Sequence, residues 1–172
     1  MTRKELQSGE YNSYYDHYLN LVPESASIDT ILQSSLEDTI RFINKIDKPF
    51  DTTYATGKWS IGEVLMHNID TERVFAYRAL RFMRGDQTPL PGFDQDVFAQ
   101  DYSNYAFAKA DLINSFKATR NATIDLFKSI TAKQLISRGV ASESPMSVRV
   151  IPFLIAGHNK HHENVIRERY LS

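Results

Sequence analysis

Apolar residues recur at helical spacing along four stretches of the chain. Ile28, Ile31, Leu32, Leu36, Ile40, Phe42 and Ile43 return every three to four positions. This spacing predicts a first helix from about Ser27 to Ile46, stopped before Pro49. A second helix is predicted from Ser60 to about Arg84. Ser60 and Glu63 form the S-x-x-E pattern that satisfies free N–H groups of a first turn, and Gly85 supplies the stop. The third should span Lys109 to Ser129, with Leu112, Phe116, Leu126 and Ile130 in the core. The fourth should begin between Met146 and Pro152 and reach Tyr170. Val148-Arg149-Val150-Ile151 favours extended structure by propensity, but it reads as the helix start because Pro152 is tolerated in a first turn.

The stretches between these helices are connections. Residues 47–58 carry Gly57 as a turn residue, and residues 131–144 carry Gly139 as a breaker. Residues 86–107 are long and contain TPLPGFDQD, whose prolines and glycine oppose helix. A loop of that length is often functional, or it crosses a bundle. Residues 1–24 form an aromatic lead-in whose Tyr11, Tyr14, Tyr15 and Tyr18 are expected along the outside. With no convincing strand alternation, the pattern predicts an all-α fold. That fold is a four-helix bundle with a long connection between helices 2 and 3, in a single domain over 1–172.

Composition narrows the chemistry. The chain has 172 residues, 42% hydrophobic and 24% charged, enough apolar side chain for a sizeable core. A net charge of −1 gives no overall electrostatic reason to bind nucleic acid or anionic lipid. The chain contains no cysteine, which excludes disulfides, thiolate zinc sites and cysteine nucleophiles. No stretch has the uninterrupted apolar length of a membrane span or of a signal peptide, so a cytoplasmic location is expected.

The histidines then stand out. Three of the five lie in GHNKHHE, at 157–163. On a helix, residues i and i+4 point about 40° apart and one turn apart along the axis, so His158 and His162 can face a common ion. Ile151, Leu154, Ile155 and Val165 share that face, which turns it toward the core. His161 lies about 100° from His162 and falls outside such a pair, at the rim or in a supporting role. His17 reads as a surface histidine. Two histidines at this spacing form half a metal site, and a catalytic zinc site usually needs a third protein ligand and an open position. The arrangement is not H-E-x-x-H, so the metalloprotease pattern is absent.

His67 is the candidate third ligand. On a wheel of the second helix, Ile61, Leu65, Ile69, Ala76, Leu80 and Met83 take one side. Ser60, Glu63, His67, Asp70, Thr71, Arg78 and Arg81 take the other. Periodicity leaves two readings of the polar side open: a solvated surface, or a wet cleft between helices.

Three segments carry a family resemblance. KWSIGEVLMHNIDTERVFAYRALRFMRGD at 58–86 resembles the first signature of the DinB-like metal-binding superfamily. TPLPGFDQD at 88–96 is similar to the loop of those proteins, and SVRVIPFLIAGHNKHHENVIRERYL at 147–171 resembles their last helix. The likeness runs from the first helix to the C-terminus. It implies a four-helix bundle, metal ligands at His67, His158 and His162, one divalent ion of the zinc or nickel kind, and a homodimer.

It also implies one of two reactions on a small-molecule substrate. In the first, a low-molecular-weight thiol cosubstrate is activated for S-transfer, with the sulfur absent from the chain supplied from outside. In the second, water is activated for hydrolysis. Glu63 and Asp70 are the candidates to orient a ligand or accept a proton. Arg78 and Arg81 are the candidates to hold a carboxylate or phosphate. A third reading is a non-catalytic metal- or ligand-binding stress protein.

Overall fold

The structure is a computed structural model that describes residues 1–102 and 105–172. Short helix α1 (Asp16–Leu19) follows an N-terminal segment. Helices α2 (Ile28–Lys45), α3 (Ile61–Met83), α5 (Lys109–Lys128) and α7 (Ile151–Arg169) form the bundle. Two shorter helices, α4 (Gln95–Asp101) and α6 (Ala132–Leu135), and a hairpin of β1 (Arg138–Ala141) with β2 (Ser144–Ser147) lie in the connections. No helix is long and apolar enough to cross a membrane.

The sequence signals act where expected. The Ser60 hydroxyl accepts the Glu63 N–H at 3.3 Å, and the Glu63 carboxylate accepts the Ser60 N–H at 2.6 Å, closing the capping box of α3. At the other end, Gly85 takes a φ of +80° and donates to the Phe82 carbonyl, while Asp86 N–H returns to Arg81. Those two bonds satisfy carbonyls of the last turn. Val148–Val150 form a single tight turn that leads into α7, and Pro152 sits in its first turn.

Round the bundle, α2 packs on α5 and α7, and α3 packs on α5 and α7. Two apolar clusters fill its ends. One holds Ile31, Phe75, Phe82, Phe127 and Leu154; the other holds Phe42, Leu65, Leu112 and Ile166. Residue numbers rise from the first cluster to the second along α2 and α7, and from the second to the first along α3 and α5. Adjacent α3 and α5 are therefore parallel. The connection between them must travel back the length of α3, about 34 Å at 1.5 Å per residue. This is why it is long. Between the apolar ends, at mid-height, lie the buried polar residues His67, Glu72, Arg120, His158, Asn159 and Glu163.

Several expectations are corrected. The long connection contains a helix, α4, capped by Asp94, whose carboxylate accepts the N–H groups of Asp96 and Val97. Residues 131–144 hold α6 and most of the hairpin. Gly139 does not break structure there but lies in β1, where a Cβ would sit 2.1 Å from the Phe82 ring. The hairpin turn, Ser142-Glu143, has positive φ at both positions, 51° and 61°. That is the backbone twist two-residue hairpins require. In α5, Leu112 and Phe116 are buried as expected, but Leu126 and Ile130 are only half-buried, and Phe127 is the deeper residue.

The lead-in is not simply an outer fringe. Tyr14 is exposed, but Tyr15 packs edge-on against Phe75 and Tyr18 against His158, with ring centroids 6.2 and 5.1 Å apart. The approach is tight because Gly157 lets the α7 backbone meet that of Tyr18. A Cβ at 157 would lie 2.2 Å from the Tyr18 carbonyl oxygen.

Candidate metal centre

His67 on α3 meets His158 and His162 on α7 at mid-bundle. The Nε2 atoms of His67 and His158 are 3.1 Å apart, and those of His158 and His162 are 3.2 Å apart. One ring nitrogen from each of the three lies within 4.8 Å of the others. A tetrahedral cation with bonds of roughly 2.0–2.1 Å holds its ligand atoms about 3.3 Å apart, so the donor set fits a divalent ion. His67 and His158 are buried, and His162 is half-buried.

Burial also sets their protonation. It pushes the His67 pKa down to about 4, against the upward pull of Asp70 and Asp96. Burial, together with the neighbouring imidazoles, holds His158 and His162 well below the usual histidine range. All three are neutral at pH 7, the state in which imidazole offers a lone pair to a metal. The Thr71 hydroxyl stands 3.5 Å from Nδ1 of His67, on the far side of the ring from the other histidines. That is the position from which a second partner orients a ligand.

The polar side of α3 is thus a cleft and not a solvated surface. His67, Asp70, Thr71 and Arg78 are all buried, whereas Leu80, placed by the wheel on the apolar side, is 38% exposed. Periodicity separates polar from apolar but cannot see that the returning connection covers the polar face.

The four tentative catalytic positions divide. Asp70 is near His67, with its carboxylate accepting from Arg73 at 3.0 Å and from the Tyr102 hydroxyl at 2.8 Å. Burial and that bond push the Tyr102 pKa up to about 12, so its phenol keeps its proton. Glu63 lines a narrow crevice with His67, Asp70 and Tyr102, while closing the capping box. Arg78 and Arg81 are not brought to the histidines. Arg78 is eleven positions beyond His67, roughly 16 Å along α3. It donates to the Ser142 hydroxyl and the Pro91 carbonyl, clamping the hairpin turn. Arg81 pairs with Asp86 and Tyr77.

Sequence reasoning missed three neighbours. The Trp59 ring packs 5.0 Å from His67, and the Trp59 carbonyl accepts from the Tyr170 hydroxyl at 2.7 Å. Asp96 and Tyr102 arrive with α4 and the residue after it. A signal existed for the first of these, since Trp59 precedes the capping serine. His162 also lines a cavity of about 340 Å³, together with Trp59, Val165, Tyr170, Lys58 and Asp96. His161 reaches the same cavity but is not part of the three-nitrogen cluster. His17 is exposed, as expected, yet it packs against Tyr18 and His161 at 3.8 and 5.8 Å between centroids.

A bundle with three convergent histidines on two of its helices is the framework of a metal-binding helical family. The DinB superfamily model matches residues 32–166, and the chain belongs to that superfamily. No curated protein matches it. Among solved structures, the chain resembles YfiT from Bacillus subtilis, described as a probable metal-dependent hydrolase with an unusual four-helix bundle topology. The TM-score is 0.67 at 14% identity, over 97% of this chain and 91% of that one, a likeness of fold.

Proposed function

We propose that this chain is a metal-dependent hydrolase of small molecules, with His67, His158 and His162 holding one divalent ion, zinc or nickel. Three imidazoles suit either metal. The observation that carries the reading is the acidic flank of an accessible histidine. His162 faces a solvent-connected cavity that Asp96 also lines, and Asp70 lies beside His67.

A divalent cation there supplies Lewis acidity, which lowers the pKa of water and polarises a carbonyl. The chain's own groups do the rest. Asp96 accepts a proton from the nucleophile at a carboxylate oxygen. Asp70, fixed by Arg73 and Tyr102, is a positioning residue that orients His67 through its charge. Trp59, Val165 and Tyr170 exclude water from the substrate's body, and Lys58 neutralises negative charge at the mouth. Arg78 and Arg81 take no part, and Glu63 supports the start of α3.

A second reading is S-transfer from a low-molecular-weight thiol. Lys58 on the aromatic wall favours it, as a partner for a thiol's carboxylate. The carboxylates weigh the other way, because an anionic thiol would enter beside Asp96. The deciding experiment screens metal-loaded protein against esters and amides, with and without cellular thiols and an electrophilic acceptor. Thiol-independent turnover that falls in Asp96→Asn supports hydrolysis. Turnover only with a thiol sinks it, and turnover with neither panel leaves a binding module.

A further inference from the structure

The side of α7 turned away from the histidines carries a second concavity. Asn159 and Glu163 are one turn apart on α7, and both are buried, at 2% and 3% exposure. They line a cavity of about 420 Å³ bounded by α2, α7 and the segment that follows α1. Val22, Ile31 and Ala156 form apolar wall, and Thr39 joins the polar floor.

The floor is incompletely paired. The Thr39 hydroxyl donates to Oε1 of Glu163 at 2.7 Å. Lys160 Nζ stands 3.9 Å from Glu163 Oε2, beyond hydrogen-bonding reach. The Asn159 amide has no partner at either its nitrogen or its oxygen among the described residues. Buried amides without partners are rare in native proteins, and one lining a cavity marks a place where something else completes the bonding.

We propose that this cavity binds a small molecule with a primary carboxamide head on a compact apolar body. Asn159 Oδ1 and Glu163 Oε2 are two free acceptors beside one free donor, Asn159 Nδ2. A carboxamide presents the complement, two N–H groups and one carbonyl. A carboxylate head would set negative charge against Glu163, and a hydrocarbon would leave the Asn159 amide unpaired.

The test titrates the isotope-labelled full chain with benzamide, benzoate and toluene and follows amide and imidazole resonances. Benzamide should give saturable shifts at Thr39, Asn159 and Glu163 and leave the His67 ring unmoved. It should bind at least about tenfold more tightly than benzoate, the discrimination expected when buried polar groups are paired in one case only. Asn159→Leu removes the amide, and Ser34→Trp blocks the cavity from an exposed position on α2. Each should weaken benzamide by about tenfold or more. Equal response to the three probes, no saturable shift, or unchanged affinity in Ser34→Trp would overturn the proposal. That last variant keeps the test open if Asn159→Leu does not fold. Metal content and hydrolysis at the histidines are read separately, so either idea can fail alone.

Discussion

Two buried polar clusters occupy the middle of this bundle, and they are built on opposite rules. Arg120 and Glu72 are 0% and 1% exposed, and their bonding is nearly saturated. The guanidinium donates to both Glu72 oxygens at 2.8 and 2.9 Å, to the Leu32 carbonyl at 3.1 Å and to the Ser35 hydroxyl at 2.5 Å. The histidine cluster is the reverse. Three neutral bases turn ring nitrogens toward one point, with only each other as neighbours there. A saturated cluster joins α3, α5 and α2 and can do little else. A cluster of converging lone pairs adds little to the fold and is completed by a cation. Burial is common to both, so it is the state of the bonding that separates structure from chemistry.

The comparison breaks most readily at its saturated side. Arg120→Met leaves the Glu72 carboxylate buried without its partner, which should cost about 3–5 kcal/mol in denaturant unfolding. A loss below about 1 kcal/mol would show that the two clusters do not differ as described. Acid should act on the other side. The folded pKa of His67 is depressed to about 4 from an ordinary 6.5, so the unfolded chain binds more protons between those values. Stability of the metal-free protein is then fully present above pH 6.5 and falls as pH drops toward 4, by on the order of 3 kcal/mol from His67 alone. A flat unfolding midpoint across that window would contradict it.

Removing a histidine should separate stability from metal. His158→Ala and His67→Ala should change metal-free stability by only about 1 kcal/mol, the scale of one modest polar contact. Elemental analysis should find about one divalent ion per chain in the wild type and almost none in either variant. Equal metal in all three would sink the site. The smallest effect belongs to the capping box: Ser60→Ala should cost about 1 kcal/mol of stability and leave metal content alone. Loss of metal in that variant would mean that the first turn of α3 positions His67 directly.

What the sequence disclosed follows the range of each signal. The four long helices were legible because their cues are local: the Ser60–Glu63 box, the stop at Gly85 and the proline of the first turn of α7. The hairpin was hidden because its turn is Ser142-Glu143, not the Asn-Gly or Asp-Gly pair that advertises that twist. Helix α4 was obscured by its proline- and glycine-rich approach, although Asp94 two residues before Asp96 was a readable cap. The pair His158 and His162 came from spacing alone. His67 needed the family likeness, since no periodicity reveals that a crossing connection will roof the polar side of α3. Asp96 and the Asn159 cavity depend on segments far apart in sequence meeting in space, and nothing local announces them.

Gly157 has a practical consequence for anyone wishing to remodel the centre. Its missing side chain lets the Tyr18 backbone rest against α7 one residue before His158. The N-terminal segment thereby acts as a template for the turn that presents that imidazole. Substitution at this position would act like a wedge, tilting the first turn of the ligand pair without altering a ligand. A library seeking a different metal preference should keep 157 fixed. One seeking graded misalignment could step it from alanine to serine to valine and read out the change in metal preference.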